Sequence, residues 1–169
     1  DLDQLLDAAR SQQFSPVSAS EQQQAQLAFA PLLAGKLPDG WDALGLQAQL
    51  TREPDVLVLH EPADQLRGRG FIAVRPQPAQ PLLLQAPHQY HDLDTGKLAL
   101  QLFAQGQAQA AFWNTAHRYL TADSDLPHVE HSYLHALSLA FAQRHPQGLI
   151  LQLHGFEARA SRDGVQAIV

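Results

Sequence analysis

A chain of 169 residues, 45% hydrophobic and 17% charged, fits one domain that buries roughly 70% of its extended surface; this composition excludes a disordered chain. The formal net charge of −6, from 11 Lys and Arg against 17 Asp and Glu, excludes the basic stripe of a nucleic-acid binder. No apolar run approaches the ~20 residues of a membrane-spanning helix. Cysteine is absent, so any metal must be held by His, Asp or Glu, and the redox compartment cannot be read. Methionine is absent too and the chain starts at Asp1, which fits a removed leader or an excerpt. A periplasmic or secreted location is the expectation, with a cytoplasmic one left open.

The single domain expected over 1–169 opens with a helical segment over 1–40. Leu2, Leu5, Leu6 and Ala9 recur at helical spacing before Ser-Pro-Val-Ser breaks the pattern. Ser18 and Glu21 have the spacing of a capping box, Leu27, Phe29, Leu32 and Leu33 supply apolar surface, and Gly35 is placed to end the helix. From Leu44 the period changes to two, and Leu44, Leu46, Ala48 and Leu50 predict a half-buried strand that begins a sheet core over 44–169. Arg52-Glu53-Pro54-Asp55 reads as a turn. Val56-Leu57-Val58-Leu59 is apolar on both faces and reads as a central strand. Phe71-Ile72-Ala73-Val74, after Gly68-Arg69-Gly70, reads as its hairpin partner.

The stretch after Leu82-Leu83-Leu84 is the least ordinary in the chain. An apolar run stops at Pro87, and His88, His91, Asp92 and Asp94 follow before a helical pattern of Leu98, Ala99, Leu102 and Phe103 that Gly106 ends. A strand at 109–114 comes next. Pro127 is placed to open a helix whose apolar stripe is Val129, Tyr133, Leu134, Leu137 and Phe141, and a strand at 149–153 follows it. Residues 165–169 read as the start of a further strand, as though the architecture continued past Val169. Alternating strands and helices predict an α/β fold with a mixed, mostly parallel central sheet and helices on both faces.

Four apolar runs each end in a histidine: His60, His88, His117 and His154. In an open α/β sheet, functional groups collect outside the carboxyl ends of the strands, so parallel neighbours would bring these imidazoles to one rim. Imidazole and carboxylate suit zinc. A zinc ion held by three such ligands, with one position open, lowers the pKa of its bound water to about 7 and polarises a carbonyl. His88, Asp92 and His154 fill the count, with His91 as the rival for the middle place.

A strand ending in Pro87-His88, an acid soon after it, Thr95-Gly96 opening a helix, and a later strand ending in Leu153-His154-Gly155 together resemble the zinc carboxypeptidase-like superfamily. The nearest likeness is to its N-formylglutamate amidohydrolase and poly-γ-glutamate hydrolase groups, over residues 80–156. The resemblance implies a phosphorylase/hydrolase-like fold, a zinc ion, and hydrolysis of an amide or peptide C–N bond in a small-molecule or peptide substrate. The chain departs from it in two ways. Carboxypeptidases carry Glu three residues after the first ligand, where this chain has His91, with Asp92 one place further. The general-base glutamate expected beyond the second His is matched by Glu157 alone.

Arg118 offers a planar fork for a substrate carboxylate or an oxyanion, or a pairing with Asp123 or Asp125. His131 and His135 have i, i+4 spacing without the His-Glu-x-x-His order of a metalloprotease helix, and read as lining or solvated groups. No Gly-x-Ser-x-Gly elbow supports a serine hydrolase. The alternative to an enzyme is a non-catalytic metal- or ligand-binding module that keeps a hydrolase-like fold.

Overall fold

Two kinds of connection lay out the sheet: short loops join antiparallel neighbours, while parallel neighbours need a crossover of a dozen or more residues. The computed structural model describes residues 1–52, 55–76 and 79–155. Strands β1 (Gln47–Arg52), β2 (Asp55–His60) and β3 (Phe71–Val74) form an antiparallel meander. After β4 (Gln80–Ala86), helix α1 (Thr95–Gln105) crosses to β5 (Ala108–Trp113), and α2 (Tyr133–Arg144) crosses to β6 (Leu149–Gln152). The sheet order is β1-β2-β3-β5-β4-β6.

The mostly parallel sheet expected from the sequence is therefore not found. The sheet is mixed: among the described residues three of its five pairings are antiparallel, and only β4 with β5 and β4 with β6 are parallel. The reason is local, since residues 61–70 carry no helical segment to make a crossover and return the chain as a hairpin. Directions still favour a common rim. Because β3 is antiparallel to both β2 and β5, strands β2, β5, β4 and β6 all point the same way.

Two N-terminal helices complete the layers: αN1 (Leu2–Ala8) and αN2 (Ala19–Leu33). Ser18 caps αN2 as a capping box, its Oγ accepting from the Glu21 N–H and the Glu21 carboxylate accepting from the Ser18 N–H, each at 3.1 Å. One face of the sheet packs Leu57, Leu59, Ile72, Leu83, Ala110 and Phe112 under αN2 and α2. The other packs Val56, Val58, Phe71, Leu84, Ala111 and Trp113 under αN1 and α1. Val56–Leu59 is thus apolar on both sides because both sides are covered.

Two further expectations are corrected. No helix opens at Pro127: Leu126–His128 is a short 3-10 turn, Val129 is extended, and α2 starts behind Ser132, whose Oγ caps it by accepting from the His135 N–H. The alternation from Leu44 buries Leu44 and Leu46 but leaves Ala48 and Leu50 exposed, because β1 lies at the sheet edge beyond the reach of the helical layer. The strand expected over 165–169 and part of the turn at Glu53-Pro54 lie outside the described residues. No helix among the described residues is long and apolar enough to cross a membrane.

The face of αN2 is set by Phe29, which is fully buried, stacked on Trp41 at 6.0 Å and edge-on to Tyr133 at 6.4 Å, whereas Leu27 is 69% exposed. Phe29→Ala should cost about 3–5 kcal/mol and Leu27→Ala less than about 0.5 kcal/mol, read from urea unfolding of the two variants against the parent.

Candidate metal centre

The crossovers from β4 and β5 leave on opposite faces of the sheet, α1 packing with one core cluster and α2 with the other. Their loops diverge at adjacent strand ends. A divergence of that kind opens a crevice at the carboxyl edge, where open α/β sheets bind ligands. His88 stands two residues past β4, Arg118 and Asp125 lie in the connection after β5, and His154 stands two residues past β6.

Local turns aim these side chains. The His88 carbonyl accepts from the backbone N–H groups of His91 and Asp92, at 2.9 and 2.7 Å, which folds the loop back so that Asp92 faces the imidazole. Thr95 then holds the Asp92 carbonyl through its Oγ1–H at 2.7 Å. Gly155 makes room for this turn: a Cβ there would lie 3.1 Å from Asp92 Cβ. After β5, Asn114 is fully buried, its Nδ2–H donating to the Ser124 carbonyl and its Oδ1 accepting from the Ala116 N–H, both at 3.0 Å. The loop carrying Arg118 and Asp125 is thereby closed on itself.

His88, Asp92 and His154 meet as the sequence suggested. Each offers one ligand atom, and these atoms lie within 4.8 Å of one another. Asp92 Oδ2 is 3.4 Å from His88 Nδ1 and 3.5 Å from His154 Nδ1. His88 and Asp92 are buried while His154 is 44% exposed, so the group opens towards solvent on the β6 side.

The tautomer of His88 follows from its partners. Its Nε2 is 2.7 Å from Asp125 Oδ1, and an ionised carboxylate only accepts, so Nε2 carries the proton. Asp125 is ionised: burial alone would raise its pKa, but the hydrogen bonds from His88 and Arg118 and their charges outweigh it and bring it below the usual carboxylate range. Burial is also the chief cause that lowers His88 below the ordinary imidazole value, with the Arg118 charge adding to it and Asp125 and Asp92 opposing. The neutral ring leaves a lone pair on Nδ1, which lies 3.4 Å from Asp92 Oδ2 and within reach of an Arg118 N–H. Metal-binding histidines usually donate their outer N–H to an acceptor such as a carboxylate, as His88 does to Asp125. The donor set, two imidazoles and one carboxylate, can hold a divalent ion.

Arg118 takes the structural partner foreseen for it, its NH2 group donating to Asp125 Oδ2 at 2.7 Å. It also borders the site, with NH1 3.3 Å from His88 Nδ1 and Nε buried without a partner among the described residues. His91 is exposed and outside the ligand group. Its ring packs on Tyr119 at 5.0 Å and on His117 at 5.7 Å, forming an aromatic wall beside Arg118, whose guanidinium lies 5.0 Å from the Tyr119 ring centre. His60 shares the rim but not the site, being stacked on Phe71 and bonded through Nδ1 to the Glu61 carbonyl. His135 Nε2 bonds the Val129 carbonyl, and His131 lies before α2, so the two share no helical face. Ser132 is buried as a helix cap. Glu157 lies outside the described residues.

Sequence reasoning named Asp125 as a salt-bridge partner of Arg118 and missed its bond to His88. The available signal was Asn114-Thr115 closing a strand and a run of small polar residues after it, a loop built to turn back.

The lowered His88 pKa has a definite sign. As pH falls below about 6.5, the unfolded imidazole takes up a proton that the folded one resists, so stability is lost between that pH and the lower folded value. His88→Gln should therefore flatten the fall in melting temperature of metal-free protein between about pH 7 and pH 5.5, measured by calorimetry in parallel with the parent.

Comparison of the chain with protein-family models, with curated proteins and with solved structures finds no match in any of the three, which leaves the functional reading to rest on the chemistry of these residues.

Proposed function

We propose that the protein is a zinc-dependent hydrolase of amide or peptide C–N bonds, acting on a small acylated or peptide substrate. The observation that carries the reading is the convergence of His88, Asp92 and His154, brought from two strand ends to within ligand distance at the crevice where the crossovers diverge. His88 and His154 would hold zinc through imidazole and Asp92 through its carboxylate. The ion, when bound, supplies a nucleophile at neutral pH and a Lewis acid for the carbonyl.

The chain's own residues do the rest. Asp125 keeps the proton on the outer nitrogen of His88 and so keeps the inner nitrogen available. Arg118, with donors left over after its bond to Asp125, is placed to receive a substrate carboxylate or an oxyanion in two-pronged fashion. The wall of His91, His117 and Tyr119 bounds the crevice on the Arg118 side. The proton acceptor is unassigned among the described residues, with Glu157, three residues beyond His154, or a group outside this stretch of chain to serve. The mixed sheet with its histidines at one edge is compatible with the phosphorylase/hydrolase-like architecture and the zinc carboxypeptidase-like resemblance that motivate this reading.

One observation favours a second reading. Arg118 NH1 lies against the His88 nitrogen that a metal would use, so the acids, Arg118 and His88 already form a closed network without an ion. A non-catalytic binding module with the same sheet would keep that network and show no turnover.

Protein purified without added metal should contain about one zinc per chain by elemental analysis, and His88→Ala should lose it. Cleavage of N-acyl amino acids or short peptides should stop with a chelator and return with zinc. Protein without metal that gains no hydrolytic activity from zinc refutes the enzyme; bound metal without turnover on that panel selects the module. Arg118→Lys should retain the metal and lower kcat/KM on carboxylate-bearing substrates by about 10- to 100-fold, read from steady-state kinetics with metal content measured in the same samples.

A further inference from the structure

Gln85 is a polar side chain near the end of β4, directly after Leu82-Leu83-Leu84, and is 1% exposed, so it must find partners inside the protein. It finds two. Its Nε2 is 2.7 Å from Ser138 Oγ on α2, and its Oε1 is 2.8 Å from Gln152 Nε2 on the neighbouring strand β6. Gln152 Oε1 in turn is 3.1 Å from His154 Nε2. A continuous row of hydrogen bonds runs from the helix, across the sheet, to the proposed ligand.

The polarity of the row is fixed at its inner end. Ser138 Oγ is 2.7 Å from the Leu134 carbonyl, which can only accept, so the single hydroxyl proton points there. Ser138 must then accept from Gln85. The Gln85 amide accordingly presents its NH2 group to Ser138 and its oxygen to β6. That oxygen needs a donor, so Gln152 turns its NH2 group inward and its oxygen outward. An oxygen facing His154 Nε2 needs a proton on that nitrogen.

The geometry points to Ser138, Gln85 and Gln152 as positioning residues that lock His154 in its Nε2–H form, so that its Nδ1 lone pair is the one turned to Asp92 and to a metal. Both histidines then meet the ion through Nδ1 with the outer nitrogen held by protein: His88 by Asp125, His154 by Gln152. The two halves of the device differ in kind. The His88 side is anchored by a charged loop residue, whereas the His154 side takes its orientation from a carbonyl inside α2. The metal-affinity part of this inference rests on the zinc reading above; the tautomer part does not.

The tautomer is read directly from long-range proton–nitrogen correlation spectra of metal-free protein labelled with 15N-histidine, at about pH 8, above the ordinary imidazole range. His154 should show one Nε2–H form in the parent, and a mixture or an Nδ1–H form overturns the inference whether or not the site takes zinc. Gln152 is exposed, so its variants test the bond without emptying a core. Gln152→Glu can still accept from His154 and should keep the Nε2–H form. Gln152→Lys can only donate and should lose it. Zinc affinity, measured by competition with a chromophoric chelator, should fall about tenfold in Gln152→Lys and in Gln152→Ala and stay within about threefold of the parent in Gln152→Glu. Equal affinity in all four proteins overturns the positioning role. A parent that binds no zinc refutes the proposed function instead, and leaves the spectra to decide the tautomer.

Discussion

The bond between His88 and Asp125 is the contact on which the arrangement of the rim depends. It spans two loops that leave the sheet towards opposite faces, and at 2.7 Å it is short enough for a charge-assisted hydrogen bond. Through it the buried imidazole keeps a defined proton, the carboxylate keeps its charge, and Arg118 is tied to the same acid. Without that carboxylate, His88 would be a buried ring with an unpartnered donor, the costly state that protein interiors avoid. The other elements of the site, the turn that returns Asp92 and the strand end that delivers His154, are arranged around this fixed ring.

The fold was legible where one local signal decides an element. The capping box at Ser18 and Glu21, the two-sided apolar run at 56–59 and the Gly106 stop each correspond to an observed feature. Strand direction was less legible, because it is set by what lies between strands. The hairpin partner at 71–74 had been read correctly, yet the consequence for the sheet, an antiparallel meander joined to a parallel trio, needs the order of strands in space. Pro127 misled because a proline that suits the first turn of a helix also suits a 3-10 turn. Here Ser132 supplies the stronger cap five residues later.

Two of the three candidate ligands were legible for a different reason: His88 and His154 each stand two residues past a strand end, strands pointing one way bring their ends together, and Asp92 follows His88 in the same loop. His91 failed the same reasoning because a turn that returns Asp92 to His88 must direct the intervening side chain elsewhere, and it faces His117 and Tyr119. Partners that meet only through tertiary contact were invisible. Gln85 did carry a signal, since an amide within Leu82-Leu83-Leu84-Gln85-Ala86 has no reason to be there unless something inside the protein satisfies it. What it bonds could not be read from the chain.

The sheet keeps the two apolar clusters apart, one under αN2 and α2, the other under αN1 and α1. Loops rooted in both layers reach the same crevice, so an occupant there would clasp two halves that the sheet and the His88–Asp125 bond already join. By linkage, an occupant held a hundredfold above its dissociation constant adds about 2.7 kcal/mol to the stability of the folded chain. The crevice is in this sense a seam, and whatever fills it is also a rivet between the layers.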